Sequence, residues 1–350
     1  MAQTQRSSNF EMLRILSIVL ILLMHVFSQA QDGNMNSGNY YLGVVINSIS
    51  NIGVSCFILI SGYFGIDFKK FKFVQLIILT TFYSIFLYFV NHGLLFNKEL
   101  LNAILVVPLY KNWFIACYLI LMLLAPHLNT YISAASKQST EKLLISLFIA
   151  FSLLPTIFNT PYYTILTGGG KCLVYMIFLY LVGRYLRIFR DVDVDKKKTM
   201  GLFLLMTAII CSLNISMSLL LKKPCSIYAM DCSPFILVSA VSVFYLFKSF
   251  SFQSKFINDI ASSVIAIYLL DGLRLFIDNH FIHIQNYSNS GILLLFIITE
   301  VLFVFIAGTL IDKLRILLLG KWEVNAINWL LEQYEKLKKH EIFHSHQHLR

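Results

Sequence analysis

Three polar side chains interrupt a stretch that otherwise reads as a bilayer span: Glu11, Arg14 and His25, within RSSNFEMLRILSIVLILLMHVFSQ at positions 6–29. A charge at the bilayer centre costs at least ~2.5–3.5 kcal/mol on insertion scales, so a helix that only anchors the chain has no use for them. Helical geometry puts all three on one stripe. From Arg14 to His25 is about eleven steps of 100°, a return to within roughly 20° of the same face, and Glu11 lies one turn earlier. At 1.5 Å per residue, Arg14 and His25 stand about 16 Å apart along the axis. One end of the stripe is at the membrane surface and the other well inside, which is the layout of a path.

An imidazole titrates near neutrality and is the natural general base of the set. The bland reading of His25 is a buried histidine bonded to another helix. Arg14 is too far along its helix to reach a reaction centre at His25. It therefore belongs either to binding a ligand or to orientation through Glu11 at i,i+3. Lys69, Lys70 and Lys72 follow the helix end Ser61-Gly62-Tyr63. They can hold a polyanionic ligand, or serve as ordinary loop lysines. Trp113 opens a later span where an interfacial aromatic belt is expected. Asp271 and Arg274 are spaced to pair on one helix, either to orient a ligand or to cap the helix end. Glu300 is a further intramembrane charge that needs Arg14, Arg274 or a proton as partner.

The elements that must position these residues are membrane helices. Of 350 residues, 57% are hydrophobic and only 13% charged, against about 25% charged in soluble domains. Ten spans are expected, at 10–29, 44–65, 71–90, 113–132, 143–159, 171–188, 199–221, 233–250, 257–277 and 291–312, each near the ~20 residues that cross a ~30 Å core. The net charge of +10 could point to nucleic acid, but its distribution excludes that. With the N-terminus inside, 21 of the 28 Lys and Arg fall in cytoplasmic segments and five outside, Arg14 and Arg274 lying in or beside spans. That asymmetry is the positive-inside signal and puts both termini in the cytoplasm.

Residues 1–319 then form the transmembrane domain and 320–350 a cytoplasmic tail. From Trp322 to Lys339 the tail reads as an amphipathic helix lying on the leaflet, with Ile327, Leu330, Leu331, Tyr334 and Leu337 on one face. The closing His340, His344, His346 and His348 have metal-binding spacings or belong to a solvated tail. The first span also loosely resembles a signal peptide, but its apolar region is longer than the usual 7–15 residues. Cys56, Cys117, Cys172 and Cys211 are packing residues. Cys225 and Cys232 share an outer loop, either as a disulfide or as two free thiols.

The pieces taken in order resemble acyltransferase family 3, the bacterial multi-span membrane enzymes that O-acetylate surface glycans. The matching residues are Arg6, Asn9-Phe10-Glu11-Met12-Leu13-Arg14 and His25; Ser61-Gly62-Tyr63; Trp113-Phe114 with Pro126 and Asn129; Gly183-Arg184; and Ser262-Ser263 with Tyr268-Leu269-Leu270. The resemblance implies an acyl-CoA donor, usually acetyl-CoA, used from the cytoplasmic side as co-substrate, with no bound cofactor or metal. It implies a sugar hydroxyl on a lipid-linked or nascent surface polysaccharide as acceptor, in the cytoplasmic (inner) membrane. By the same analogy His25 is the catalytic histidine, with Arg14 and Glu11 below it. Lys70 and Lys72 occupy the place of a basic pair for the CoA phosphates. Apart from the analogy, Arg14 is assigned to the donor or to orientation through Glu11. Trp113 with the Asp271–Arg274 pair is the candidate acceptor contact, that pair equally suiting a helix cap. Relatives commonly carry a histidine where this chain has Asp271, which must replace that histidine or show its role to be dispensable. Whether His25 acts as base or is itself transiently acylated is open at this level. The competing reading is a transporter or flippase of a lipid-linked saccharide, which would call for broken spans and an internal repeat. A polymerase would need larger outer loops than the sequence provides.

Overall fold

Apolar runs long enough to cross a bilayer become helices because hydrocarbon offers no partner for backbone N–H and C=O groups, and a helix satisfies its own. The computed structural model describes residues 7–31 and 33–347, without the side chains of 164 and 339–347. Arg6 and His348 thus lie outside the described residues, as do the side chains of the tail histidines His340, His344 and His346. Among the described residues there is no strand. Among these residues eight helices are long and apolar enough to span, and up to ten if each of two bent pairs is one span.

The eight are Ser8–Ala30, Gly38–Phe64, Lys70–His92, Trp113–Ala134, Lys137–Phe158, Lys196–Leu221, Ile227–Lys248 and the helix beginning at Leu293. Pro161–Gly170 with Leu173–Phe189, and Lys255–Leu269 with Leu273–Ile282, are the bent pairs, at 45° and 67°. In chain order these are the first to tenth spans, the bent pairs being sixth and ninth. Each overlaps one of the ten expected from sequence.

The first span is central, packing against the second, eighth, ninth and tenth. Its Ile18, Leu22, Val26 and Phe27 are buried in that packing. By contrast only 22%, 17% and 17% of the third, fifth and seventh spans is buried inside the protein, which makes them the lipid-facing rim. The second and sixth spans meet backbone to backbone. A Cβ on Gly62 would stand 2.2 Å from the Tyr180 carbonyl oxygen, and one on Gly183 2.5 Å from that of Leu59. Small residues permit this approach, and any side chain there would force the helices apart.

Two departures from the expected map matter for the site. The ninth span is broken at Leu270–Gly272. There the N–H groups of Asp271, Leu273 and Arg274 donate to carbonyls three residues back, at 3.3, 2.9 and 3.0 Å. These tight bonds satisfy the backbone while turning the chain, and Gly272 fits closely beside Leu87 of the third span, where a Cβ would come within 3.0 Å. The second departure is the C-terminal region. The expected amphipathic helix is not a separate element, and no break falls at 319/320: one helix runs from Leu293 to Gln347. Gly320 alone costs only about 1 kcal/mol of helix propensity, and its flanking Leu, Lys and Glu favour continuation. Contacts to the third span fix the prolongation: Gln75 donates to Glu323 at 2.7 Å, and Lys70 pairs with Glu335. Of the apolar face expected there, Ile327 is buried, while Leu330, Tyr334 and Leu337 are exposed.

Candidate active site

The break in the ninth span swings Asp271 against the first span. His25 Nδ1 lies 3.1 Å from Asp271 Oδ2, and Arg274 Nε donates to the same oxygen at 3.1 Å. The expected i,i+3 pair of Asp271 and Arg274 is therefore present, and His25 joins it from a helix 246 residues away. Arg274 also donates to Gln29 Oε1, and Gln29 Nε2 to Asp278 Oδ2. Asp278 Oδ1 in turn accepts the Ile284 N–H at 2.6 Å. The imidazole is thus one end of a chain of polar groups running along two helices. The His25 side chain keeps 31% of its surface while Asp271 keeps 17%, so the ring is reachable and its partner is held from behind.

That arrangement fixes what the ring can do. A carboxylate on Nδ1 favours the tautomer with the proton there, which leaves Nε2 as acceptor and stabilises the imidazolium once it has taken a proton. Arg274 and Gln29 restrain the carboxylate and the guanidinium in their turn. Asp271 Oδ1 is buried without a hydrogen-bond partner.

The other two members of the stripe lie elsewhere. Glu11 and Arg14 pair at 2.7 Å and face a cavity of about 960 Å³. His25 is not among the residues that line it. The wall takes Phe57 and Ser61 from the second span, Lys72 and Gln75 from the third, and Phe114, Tyr118 and Met122 from the fourth. Ser262, Val264 and Ala266 come from the ninth span, and Asp312, Arg315, Lys321, Glu323 and Asn325 from the tenth and its prolongation. Charged groups gather where the lysine-rich ends of the spans meet; aromatic and aliphatic groups line the rest. Phe114 connects this cavity to the histidine. It stacks on Tyr118 at 5.9 Å and meets Tyr268, three residues before Asp271, edge-on at 5.2 Å. Tyr268 donates to Asn112 Oδ1 at 3.1 Å, and the same oxygen caps the fourth span through the Ile115 N–H.

The remaining residues singled out in the sequence fall in separate places. Lys72 is on the cavity wall, its Nζ 3.0 Å from Gln75 Oε1. Lys70 is not: it pairs with Glu335 and lies over the Tyr334 ring at 5.1 Å. Trp113 borders a narrow slot with Ser55, Tyr175 and Asp231, beside the cavity-lining Phe114. Glu300 is fully buried with both carboxylate oxygens unpartnered, and neither Arg14 nor Arg274 forms an ion pair with it. Cys225 and Cys232 are both free and buried.

Gln29, Asp278, Arg315 and Lys321 went unnoticed in the sequence. Gln29 lies one turn after His25 and Asp278 one turn after Arg274, so both share faces already marked as polar. Arg315 and Lys321 read there as ordinary basic residues closing a span.

One further cluster joins the second, sixth and eighth spans at their ends. Asp191 holds Lys248 at 2.9 Å and Arg187 at 2.8 Å and accepts from Tyr63 at 2.7 Å. Burial pushes its carboxyl up, but the bonds from Lys248 and Tyr63 and the charges of Lys248 and Arg187 outweigh that and hold it below the usual range.

Compared with known proteins, residues 8–312 match a family model described as an acyltransferase domain. No curated protein and no solved structure matches the chain. The match runs from the start of the first span into the tenth and takes in His25, Asp271 and most of the cavity wall. A multi-span helical protein matched over most of its length in this way belongs to acyltransferase family 3, the membrane acyltransferases.

Proposed function

We propose that this membrane acyltransferase moves an acyl group, acetyl in the usual case, from cytoplasmic acyl-CoA to a sugar hydroxyl of a capsular, exo- or other cell-surface polysaccharide. The observation that carries the reading is the His25–Asp271 pair at 3.1 Å, with a large separate cavity whose wall includes Arg14, Lys72, Arg315 and Lys321. The thioester enters the cavity from the cytoplasm, between Arg14 and Lys72. His25, with Nδ1 held by Asp271, takes the hydroxyl proton on Nε2 as the oxygen attacks the thioester carbonyl. The C–S bond breaks as the new C–O ester bond forms, and the proton passes to the departing thiolate. A weakly nucleophilic hydroxyl needs a base near neutrality, and positioned general acid–base groups contribute about 10²–10⁴ in rate. Arg14 and Glu11 serve the donor rather than the proton transfer, since they lie on the cavity and away from His25.

The test is the surface polysaccharide itself. In cells carrying His25→Ala at normal membrane abundance, the O-acetyl signals in the glycan NMR spectrum are expected to vanish; wild-type acetate content would sink the assignment. The broken ninth span is a feature transporters share. Release of free CoA from acetyl-CoA by the purified protein separates the two, because a flippase moves glycan without consuming a thioester.

A further inference from the structure

The cavity wall does not end where the family match ends. Beyond residue 312, the tenth helix continues and contributes Arg315, Lys321, Glu323 and Asn325 to the same wall. The cations there are not equivalent. Arg14 is neutralised by Glu11 at 2.7 Å, and Arg315 by Asp312 at 2.9 Å and by Glu323. Among the described residues, Lys72 and Lys321 have no carboxylate within ion-pair distance, although they come from different helices and line one cavity. Lys70, the other member of the pair suggested by resemblance, is spent on Glu335 outside the cavity. Glu323 ties the prolongation in place, bonding both Arg315 and Gln75. The continuous helix thus brings a second unpaired lysine to the wall that Lys72 also lines.

We propose that the helical prolongation beyond the family-matched region is part of the donor site, with Lys321 and Lys72 together holding the phosphates at the nucleotide end of the acyl thioester. This rests on the acyl-CoA reading above. Two ammonium groups without carboxylate partners suit a polyanion, because a flexible lysine meets a phosphate as a point charge without a fixed fork geometry. The aromatic interior, from Tyr118 to Phe114, would then take the uncharged arm that carries the thioester toward His25.

The experiment measures steady-state CoA or pantetheine release by the full-length protein in liposomes, with acetyl-CoA, acetyl-dephospho-CoA and S-acetylpantetheine as donors. The wild type is expected to prefer acetyl-CoA to S-acetylpantetheine. Lys321→Ala should raise KM for acetyl-CoA about tenfold, the scale of one lost charge-assisted hydrogen bond, and so narrow that preference; Lys321→Arg should restore it. If Lys321→Ala leaves KM for acetyl-dephospho-CoA unchanged while raising that for acetyl-CoA, Lys321 meets the ribose phosphate; if it raises both, the diphosphate. An unchanged donor preference in Lys321→Ala, alongside a wild type that turns over acetyl-CoA, overturns the assignment of Lys321 and leaves the donor reading standing. A wild type that releases no CoA overturns the donor reading, and the inference falls with it. Lys321 is exposed on a helix that continues through it, so the alanine variant is expected to fold.

Discussion

Replacing Asp271 by asparagine tests the central geometry with almost no change in shape. The carboxylate oxygen 3.1 Å from His25 Nδ1 also receives Arg274 Nε at 3.1 Å. An asparagine that keeps its amide oxygen at that position still accepts from both groups, and its NH2 takes the place of the unpartnered Oδ1. The tautomer that leaves Nε2 free is retained, but the charge that stabilises the imidazolium is lost. The loss should fall within the contribution of a positioned base, about 10²–10⁴ in rate, or roughly 3–5 kcal/mol in barrier at 1.36 kcal/mol per tenfold. The assay is CoA release per unit of inserted protein, with His25→Ala as the floor. Arg274, still bonded to Gln29, keeps the break in the ninth span anchored, so protein abundance should stay near normal. If Asp271→Asn turns over within about threefold of wild type while His25→Ala is inactive, Asp271 does not set the state of the ring and the argument is wrong.

Other outcomes follow from the packing and the charges. Gly62→Ala or Gly183→Ala should destabilise the bundle by about 1–3 kcal/mol, read as a lower Tm in detergent, because each new Cβ meets a backbone carbonyl oxygen within 2.5 Å. Asp191→Asn should lower Tm at neutral pH. A carboxyl held below its unfolded value stabilises the fold above that value and loses the contribution as pH falls through the folded one. The gap between wild type and variant should therefore close under acid conditions, and a gap that widens there would refute the assignment. All six cysteines should titrate as thiols in the denatured protein without reductant, since none is bridged; four or fewer would show that a disulfide forms.

Much of this was written locally in the chain. Hydropathy over about 20 residues is enough to locate the long apolar helices, eight among the described residues and up to ten with the two bent pairs, because each must satisfy its own backbone in hydrocarbon. The distribution of Lys and Arg predicts a side for each loop without reference to the fold. The helical period by itself puts Glu11, Arg14 and His25 on one stripe of the first span, and the i,i+3 rule pairs Glu11 with Arg14 and Asp271 with Arg274. What the sequence could not determine is which helix faces which. His25 finds Asp271 across 246 residues only because three short-range backbone bonds turn the ninth span at Leu270–Gly272. The cavity draws its wall from six spans, a property of their packing and of no one segment. The basic pair expected at Lys70 and Lys72 is divided for the same reason. A helix that fails to stop at Gly320 carries Glu335 to Lys70 and Lys321 to the cavity wall. Periodicity and composition act over one or two turns; the pairing of distant charges is decided by where rigid helices bend and where they continue.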